Sequence, residues 1–540
     1  MTRRLIMPAQ RNPQNETFIR FTHNTAPLFP VDEVENKRLY LHGAWNGELG
    51  VPKTAQVVTI RLKTNEDNHM KRKSTDVSRR KFLRRTALAA AGFYIVPRHV
   101  LGRGYVAPSD RLVIASIGVG GQGNDDLQEI AKSPKAEIAV LCDVDDRRAA
   151  PTVKLFPKAK YYRDFRDMLE KEHRHIDAVT VTIPDNVHAV AAIAAMQLGK
   201  HVYVQKPLTH DIFEARMLTE AARHYQVVTQ MGNQGGSGDG VRTMKEYYNA
   251  GLIGDVTRVY AWTNRPIWPQ GLATPTGSFA IPKELDWSLW LGPAAAIDYN
   301  PAYLPFNWRG WYAFGTGALG DMACHILDPA FRILPIDYPT SVECSTTVSW
   351  TGLGEQADFP DSFPNASIIH YHFPGKNGKP DVSLTWMDGG LLPERPAELG
   401  SEEPFGDWSG GILFEGTKGK LLADCYGANP RLLPTSRMKE VQVPQTLARV
   451  PEGHYLQWIN ACIAGYGKTE LSSPFDYAGP FTESVLLGVL AVRAYQLKGK
   501  GDPGKKKLLW DAAKMKVTNL PEADALVQRQ YRSGWQVTTW

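Results

Sequence analysis

The stretch that decides the fold is LVIASIGVGGQGNDDLQEIAKSPKAEIAVLCDVDD, residues Leu112–Asp146. Its first six residues, Leu112–Ile117, form an apolar run rich in β-branched side chains, which is typical of a buried parallel strand. The run leads directly into a GxGxxG loop, whose glycines permit a tight turn, close approach of the backbone to a pyrophosphate, and close helix–strand packing. The loop therefore predicts a nucleotide at the N-terminus of the next helix. Its candidate contacts are Gly118, Gly120, Gly121, Gln122 and Gly123.

An acidic residue completes this pattern. The second apolar run, Glu137–Cys142, ends at Asp143, about 20 residues past the last glycine. A carboxylate at this position accepts a hydrogen bond from a ribose 2′-hydroxyl and repels a 2′-phosphate. We therefore expect NAD as the cofactor, with NADP as the alternative because Arg147 and Arg148 follow closely. A tight turn in another kind of α/β protein would explain the glycines alone, but not strand, helix and acid together.

Beyond this unit the chain divides into two regions. From 108 to 233, short apolar runs alternate with helix-length segments, which predicts an α/β fold with a doubly wound parallel sheet of Rossmann type. From 234 to 540, alternating strands predict an α+β domain with a predominantly antiparallel open sheet. The predicted strands are Asp177–Ile183, Lys200–Val204, Val227–Met231, Ser341–Trp350, Ser367–His372 and Val382–Trp386. The predicted helices are His188–Leu198, Ile212–His224, His454–Ala464 and Gly479–Gln496, and Leu391–Gly411 is predicted to be a loop.

Charge and cysteine content argue against several classes of protein. The formal net charge is +6, but residues 1–85 hold 17 Lys and Arg against 8 Asp and Glu, and the rest of the chain holds 45 against 48. The main part is therefore close to neutral and lacks a basic stripe, so we expect no nucleic-acid partner. The five cysteines have no CxxC spacing, so neither a zinc site nor a disulfide framework is expected.

The basic N-terminal part resembles an export signal. Residues 78–83 read SRRKFL and precede the apolar stretch Thr86–Val96, which is too short to span a bilayer. This arrangement resembles a twin-arginine signal within 78–107. We expect translation to start at Met70, and residues 1–77 to be an extension that is either disordered or wrongly assigned to the protein. An ordinary basic patch before a buried helix is the alternative. The signal predicts a periplasmic or otherwise exported protein that engages the twin-arginine machinery and stays membrane-tethered if the signal is not cleaved.

Three groups of residues are candidates for chemistry. Lys206 lies at the end of a predicted parallel strand, where open α/β sheets bind ligands, and Pro207 restricts its backbone. Asp321 and His325 are one helical turn apart, with Asp328 at the next position of the same face, and a carboxylate near an imidazole suits a general base. A helix cap with a core histidine, or a metal site, is the alternative. Pro184 and His188 follow another strand and could flank a nicotinamide ribose, or form only a helix-starting turn.

These motifs together resemble a known family. The glycines of the loop, Pro184-Asp-x-x-His188, Gln205-Lys-Pro207 and Asp321-x-x-x-His325 fall in the order and spacing of the Gfo/Idh/MocA oxidoreductases, over roughly 111–535. The resemblance implies a Rossmann domain followed by a domain that carries the substrate site and the contacts of a homo-oligomer, a dimer or tetramer. It also implies that His325 removes a hydroxyl proton, Lys206 stabilises the alkoxide and Asp321 orients substrate or imidazole.

One residue departs from the family pattern. The family usually has Glu where this chain has Gln205, and a glutamine cannot ionise, so the pKa of Lys206 would be set differently. We expect Gln205 beside the cofactor and Lys206 between cofactor and substrate. Candidate substrate-binding residues are Asn233, Arg265, Arg309 and His325, and Gln234, Trp268, Trp308 and Trp311 lie where they could line a sugar pocket or belong to the core.

The sequence thus favours an NAD(P)-dependent oxidoreductase that acts on a secondary hydroxyl of a sugar, glycoside or cyclitol. If the protein is exported, no large NAD pool surrounds it, so the cofactor is expected to stay bound and to be regenerated in each cycle. A redox-neutral glycosidase or lyase on the same scaffold is the first alternative. A non-catalytic protein that binds sugar or NAD is the second.

Overall fold

The structure is a computed structural model and describes residues 111–497 and 506–537. The expected signal at 78–107 and the extension at 1–77 lie outside these ranges. Within the described ranges, none of the helices is both long and apolar enough to cross a membrane. The five cysteines are all buried.

A six-stranded sheet comes first in the chain. Its strands are β1 (Leu112–Ile117), β2 (Ala136–Cys142), β3 (Lys160–Tyr162), β4 (Ala178–Val181), β5 (His201–Val204) and β6 (Thr229–Met231). They pair in the order β3-β2-β1-β4-β5-β6, and every pair is parallel. The connecting helices are α1 (Gln122–Ala131), α2 (Asp146–Leu155), α3 (Phe165–Glu172), α4 (Asp185–Gln197) and α5 (Ile212–Tyr225).

The central strands of this sheet are buried along their length. All four residues of β4 are buried, as are five of the six in β1, which is why both appear in the sequence as continuous apolar runs. Helix α4 is also buried along most of its length and is rich in alanine. The predicted doubly wound Rossmann sheet is confirmed, and its carboxyl edge is where ligands bind in such folds.

A nine-stranded sheet follows. Its strands are β7 (Val256–Thr263), β8 (Ser341–Thr346), β11 (Ser367–Phe373), β12 (Val382–Met387), β13 (Gly410–Gly416), β14 (Gly419–Asp424), β15 (Arg431–Leu433), β16 (Leu508–Asp511) and β17 (Lys516–Val517), and β9 (Trp350–Gly352) and β10 (Glu355–Gln356) form a separate hairpin. The order is β15-β14-β13-β7-β12-β11-β8-β16-β17. Only β7 and β12 pair in parallel, so the prediction of a predominantly antiparallel sheet is confirmed.

Helices of the C-terminal region cover this sheet and reach the first domain. They are α6 (Asp239–Asn249), α7 (Trp287–Leu291), α8 (Gly317–Ile326), α9 (Asp328–Ile333), α10 (Gly453–Ala464), α11 (Phe475–Gln496) and α12 (Pro521–Asp524). Helix α11 packs against both α5 and β8. In this contact Arg216 of α5 pairs with Glu483 of α11 at 2.7 Å, and the Glu483 side chain has no exposed surface. The two domains therefore share one buried interface.

Two predicted boundaries in the second sheet are wrong. Ser341–Trp350 is not one strand, because β8 ends at Thr346 and the amide of Thr347 turns to donate to the Ala366 carbonyl at 3.0 Å. The predicted loop ends at Ser409 rather than at residue 411. Gly410 begins β13, and a Cβ at this glycine would lie 2.0 Å from the Trp262 carbonyl oxygen, so the strand pairing itself requires glycine there.

Candidate active site

The glycine loop joins β1 to α1 under tight packing constraints. Gly118 has a φ of +80°, and a Cβ at this position would lie 2.1 Å from the Thr182 carbonyl oxygen. A Cβ at Gly123 would lie 2.0 Å from the Gly118 carbonyl oxygen. These two glycines are therefore required by the close approach of β4 and α1 to the loop, as the fingerprint predicts.

The outer side of the loop is open. Gly121 is exposed with a φ of +55°, and a Cβ built there meets within 4 Å only the guanidinium of Arg148. Helix α1 begins at the next residue, Gln122, so its N-terminal amides face the same side. An exposed glycine, a helix N-terminus and a cation together fit the pyrophosphate of a dinucleotide.

Asp143 supports this loop directly. Its Oδ2 accepts hydrogen bonds from the backbone amides of Val119 and Gly120, at 2.9 and 3.2 Å. Burial raises the pKa of the Asp143 carboxyl, whereas these backbone donors lower it. Two carboxylate oxygens offer about four acceptor positions, so Asp143 can also accept a ribose hydroxyl. Arg147 is held by Asp145 at 2.7 Å, which leaves Arg148 as the exposed cation beside the loop.

Lys206 and Asp321 form the centre of a charged cluster. The Lys206 ammonium, which follows β5 and precedes a cis peptide bond to Pro207, donates to the carbonyl oxygen and Oδ1 of Asp321 at 2.7 and 2.9 Å. Arg309 and Arg265 approach the same carboxylate with their Nε atoms at 3.4 and 3.9 Å. Burial alone would raise the pKa of Asp321, but Lys206 and Arg309 outweigh it and hold this pKa well below its usual range.

His325 lies one turn after Asp321 on α8. It is buried, and its Nδ1 has no hydrogen-bond partner among the described residues. Burial, followed by the charge of Lys206, lowers the pKa of His325 well below its ordinary value. The imidazole is therefore neutral near pH 7 and can accept a proton. Its ring packs against that of Tyr426, with 4.4 Å between centroids.

Asp328 does not join this face, so the predicted alignment of three residues on one helix is wrong. Helix α8 ends at Ile326, and Asp328 begins α9. Its carboxylate instead accepts from Asn233 at 2.8 Å, from Arg332 at 2.7 Å and from Tyr477 at 2.7 Å. Helix α8 also begins four residues before Asp321, which is therefore not a helix cap.

Asn233 and His188 are placed differently from the prediction. Asn233 is fully buried and its amide binds Asp328, so it is not exposed to a substrate. His188 is also buried, and both of its ring nitrogens lie 2.8 Å from backbone carbonyl oxygens, those of Pro207 and Ile183. His188 thus ties α4 to the turn that carries Lys206 and has no free ring nitrogen for a ribose, while Pro184 precedes α4.

Gln205 is buried and connects several elements. Its Nε2 donates to both carboxylate oxygens of Asp126 on α1, at 3.0 and 2.9 Å, and its Oε1 accepts from the Lys206 amide at 3.2 Å. Asp126 also accepts from Thr182 at 2.9 Å and from Tyr455 of α10 at 2.7 Å. A glutamate at 205 would place two carboxylates in contact, whereas the Gln205 amide is a donor that suits the Asp126 carboxylate.

The remaining candidates divide between core and cluster. The indoles of Trp268, Trp308 and Trp311 are buried, and only Trp308 contacts a cluster residue, with the Arg309 guanidinium 4.2 Å from its ring centroid. Gln234 donates to the Tyr455 hydroxyl at 2.9 Å rather than facing the cluster.

Several residues near the cluster were not identified from the sequence. Asp185 accepts from Thr316 at 2.6 Å, and burial raises the pKa of this carboxyl to about 6 although Arg309 lowers it. Asp185 lies between Pro184 and His188 in the chain, so the sequence motif around these two residues could have identified it. Tyr426 and Trp408 carried no local signal, because only the fold brings them to the cluster. In the described part of the chain, no group of three or more His, Cys, Asp or Glu side chains is arranged to hold a metal ion.

Two family models match the chain in the regions that carry these features. Residues 112–233 match the NAD-binding Rossmann fold of an oxidoreductase family, Gfo/Idh/MocA, and residues 241–350 match the C-terminal alpha/beta domain of that family. These two regions are therefore similar to the Gfo/Idh/MocA family. The region that matches the NAD-binding domain contains the glycine loop, Asp143 and Lys206, and the open glycine loop fits NAD. The region that matches the C-terminal domain contains Asp321 and His325.

Individual relatives are similar over parts of the chain. Levoglucosan dehydrogenase of Pseudarthrobacter phenanthrenivorans is 26% identical over 192 residues, 35% of this chain and 41% of that protein. A glycosyl hydrolase family 109 protein of Shewanella pealeana is 26% identical over 313 residues, 53% of this chain and 62% of that protein. The chain thus spans about half the length of these curated relatives.

A solved structure extends the likeness in fold. The WlbA dehydrogenase from Chromobacterium violaceum, in complex with NADH and UDP-GlcNAcA, has 16% sequence identity and a TM-score of 0.50, covering 75% of this chain and 98% of that chain. At this identity, the likeness concerns the fold.

Proposed function

We propose that this chain is an NAD-dependent oxidoreductase of the Gfo/Idh/MocA family and that it acts on a secondary hydroxyl of a sugar, glycoside or cyclitol. The observation that carries the proposal is His325, a buried neutral imidazole with an unpartnered Nδ1 beside the Lys206–Asp321 pair. A general base must be neutral to accept a proton. The names of the similar proteins, which include a levoglucosan dehydrogenase, support a carbohydrate substrate.

The residues around the cluster have distinct tasks in this proposal. His325 accepts the hydroxyl proton of the substrate. Lys206, oriented by Asp321, supplies positive charge for the oxygen that becomes negative, and Arg309 and Arg265 offer donors to neighbouring hydroxyls. The Gly118–Gly123 loop, the N-terminus of α1 and Asp143 would hold NAD, whose nicotinamide supplies the hydride acceptor when it is bound. The net reaction converts the alcohol to a ketone, with one hydride transferred and one proton released.

A second candidate is redox-neutral cleavage of a glycoside. It is favoured by the relative named as a glycosyl hydrolase family 109 protein, whose similarity extends over 313 residues, against 192 for levoglucosan dehydrogenase. In this reaction, oxidation of one hydroxyl acidifies the neighbouring C–H bond, the aglycone leaves by elimination, water adds, and the hydride returns to the ketone. No net NADH forms, and turnover needs no added cofactor.

The experiment that tests both candidates compares the full chain with His325→Ala on a panel of sugars, methyl glycosides and myo-inositol. Absorbance at 340 nm reports net NADH, and chromatography reports released sugar. Loss of a general base costs about 10²- to 10⁴-fold in rate, so we expect turnover to fall by that factor while NAD binding stays unchanged. Unchanged turnover would exclude His325 as the base, and binding without any turnover in the unmodified chain would indicate a non-catalytic binding protein.

We also propose export through the twin-arginine route and assembly as a homo-oligomer. Export is supported by the SRRKFL segment at 78–83, and assembly by the family resemblance. Cell fractionation tests export by comparing the variant Arg79→Lys/Arg80→Lys with the unmodified chain. If export uses this segment, the unmodified chain leaves the cytoplasm and the variant is retained there. Light scattering of the purified protein tests assembly, and a monomer mass would contradict it.

A further inference from the structure

The charged cluster is bordered by exposed aromatic rings. The Arg265 guanidinium lies over the ring of Trp408, 5.0 Å from its centroid, and the Arg309 guanidinium lies 4.0 Å from that of Phe306. Tyr426 packs on His325. These aromatic residues remain 71%, 41% and 44% exposed for Trp408, Phe306 and Tyr426 respectively. Each polar residue that we assign to the substrate, apart from the Lys206–Asp321 pair, therefore has an accessible aromatic neighbour.

Trp408 is the most exposed of these rings, although its loop is firmly attached. The loop between β12 and β13 is joined to the end of β7 at both sides. The amide of Gly389 donates to the Arg265 carbonyl at 2.6 Å, and the Thr263 hydroxyl donates to the Ser409 carbonyl at 2.7 Å. Phe405 packs on Trp262, with centroids 4.5 Å apart. These contacts hold the backbone on either side of Trp408 in place.

The arrangement gives Trp408 a specific place relative to the reaction site. Arg265 lies between the two, with its Nε 3.9 Å from Asp321 and its guanidinium over the indole. One guanidinium group therefore separates the indole from the carboxylate that orients Lys206. The loop is also outside the two regions that match the family models, 112–233 and 241–350, so those matches do not account for Trp408.

We propose that Trp408 forms a subsite for a second sugar ring, so that the substrate is a glycoside of at least two rings rather than a free sugar or cyclitol. An indole offers a large apolar face with little conformational entropy to lose, and such a face packs against the C–H surface of a pyranose. The charged cluster binds the ring that reacts, and Trp408 binds the adjoining ring across Arg265. This inference rests on the proposed function and specifies its substrate class.

Binding measurements in a non-reacting background test the subsite. The His325→Ala chain, saturated with NAD, is titrated by calorimetry with glucose, galactose, mannose and xylose, and with cellobiose, maltose, lactose, mannobiose and xylobiose. Trp408→Ala is then added to that background, and Trp350→Ala serves as the matched control because Trp350 is 62% exposed on the separate β9–β10 hairpin. Trp408→Phe tests whether an aromatic ring is sufficient.

We expect Trp408→Ala to weaken binding of the preferred disaccharide about tenfold, which corresponds to about 1.4 kcal/mol, and to leave its monosaccharide within twofold. Trp408→Phe should retain most of the affinity, and Trp350→Ala all of it. Equal effects on both ligands, or no effect on either, would overturn the subsite while leaving the proposed function intact. If the NAD-saturated parent chain binds myo-inositol but none of these sugars, the subsite is overturned while the proposed function stands. If it binds neither, the proposed function itself is contradicted, and the subsite with it.

Discussion

At the scale of single residues, the properties of His325 come from its surroundings. An ordinary histidine is partly protonated near neutral pH. Here burial and the positive charge of Lys206 both oppose protonation, whereas Asp321 favours it only partly because its carboxylate is already shared among three cations. His325, the base in the proposed reaction, is thus kept neutral first by burial and then by the same lysine that would stabilise negative charge on the substrate.

This coupling predicts a shift in the pH profile of Lys206→Met. Removing the ammonium removes a charge that lowers the pKa of His325, so the acidic limb of kcat/KM moves to higher pH, in addition to a lower maximum rate. Arg265→Gln removes a weaker contribution and should move the limb less. Kinetics between pH 4 and 8 measure the position of this limb. If the turnover of the variant is too slow to follow, NMR titration of the His325 ring measures its pKa directly. An unmoved limb would contradict His325 as the titrating base.

At the scale of elements, Gln205 shows how β5 and α1 depend on each other. Its Nε2 donates to the Asp126 carboxylate, with both oxygens within 3.0 Å, and this carboxylate also accepts from Gln122 at 2.8 Å and from Tyr455 at 2.7 Å. Burial raises the pKa of this carboxyl, although the side chains that donate to it lower the pKa. The helix that faces the nucleotide and the strand that carries Lys206 are thereby linked by side chains.

Gln205→Glu reverses this arrangement and should make stability depend on pH. Two carboxylates in contact raise the folded-state pKa of one of them above its unfolded value. The penalty is therefore absent below about pH 4 and increases as pH rises through the raised pKa, so the variant should lose stability from pH 5 to pH 8 relative to the parent. Urea unfolding at several pH values measures the loss. Adding Asp126→Asn should recover most of it, and equal stability of parent and Gln205→Glu at pH 8 would contradict the contact.

These contacts also show the limits of prediction from sequence. The strand, glycine loop and acid of Leu112–Asp146 are adjacent in the chain, so local patterns were sufficient to predict the Rossmann sheet and the nucleotide loop. Gln205 and Asp126 are 79 residues apart, and neither the distance between Trp408 and Arg265 nor the burial of Asn233 is encoded locally. The spacing of Asp321 and His325 predicted one helix for both, but it did not show that this helix ends at Ile326 and that Asp328 begins the next one, which is why Asp328 was misplaced.

At the scale of the whole molecule, the two domains are joined through α11. The Arg216 guanidinium binds Glu483 through two hydrogen bonds, at 2.8 and 2.7 Å, and also donates to the Ala512 carbonyl at 3.1 Å. Burial raises the pKa of Glu483, and Arg216 is the main group that lowers it, with a further hydrogen bond from Tyr338. The interface therefore contains a charge that would be costly to leave unpaired.

Arg216→Met should destabilise the protein by about 3–5 kcal/mol, the usual cost of leaving one member of a buried ion pair alone. Adding Glu483→Leu should recover most of this loss, because an apolar pair of similar size needs no compensation. Unfolding followed by intrinsic fluorescence and by far-UV circular dichroism would measure both effects. A loss below about 1 kcal/mol for Arg216→Met would contradict the burial of this pair.

Asp143 has a consequence for how cofactor preference can evolve in this chain. Its carboxylate, which the sequence assigns to the ribose, accepts from the amides of Val119 and Gly120 through Oδ2 and from the amide of Asp145 through Oδ1, so the predicted nucleotide-discriminating residue also supports the glycine loop. A mutation that removes the carboxylate to admit a 2′-phosphate would leave two loop amides without an acceptor. Switching preference therefore requires at least two changes in succession, and the first alone would weaken binding of either nucleotide, which makes the existing preference resistant to drift.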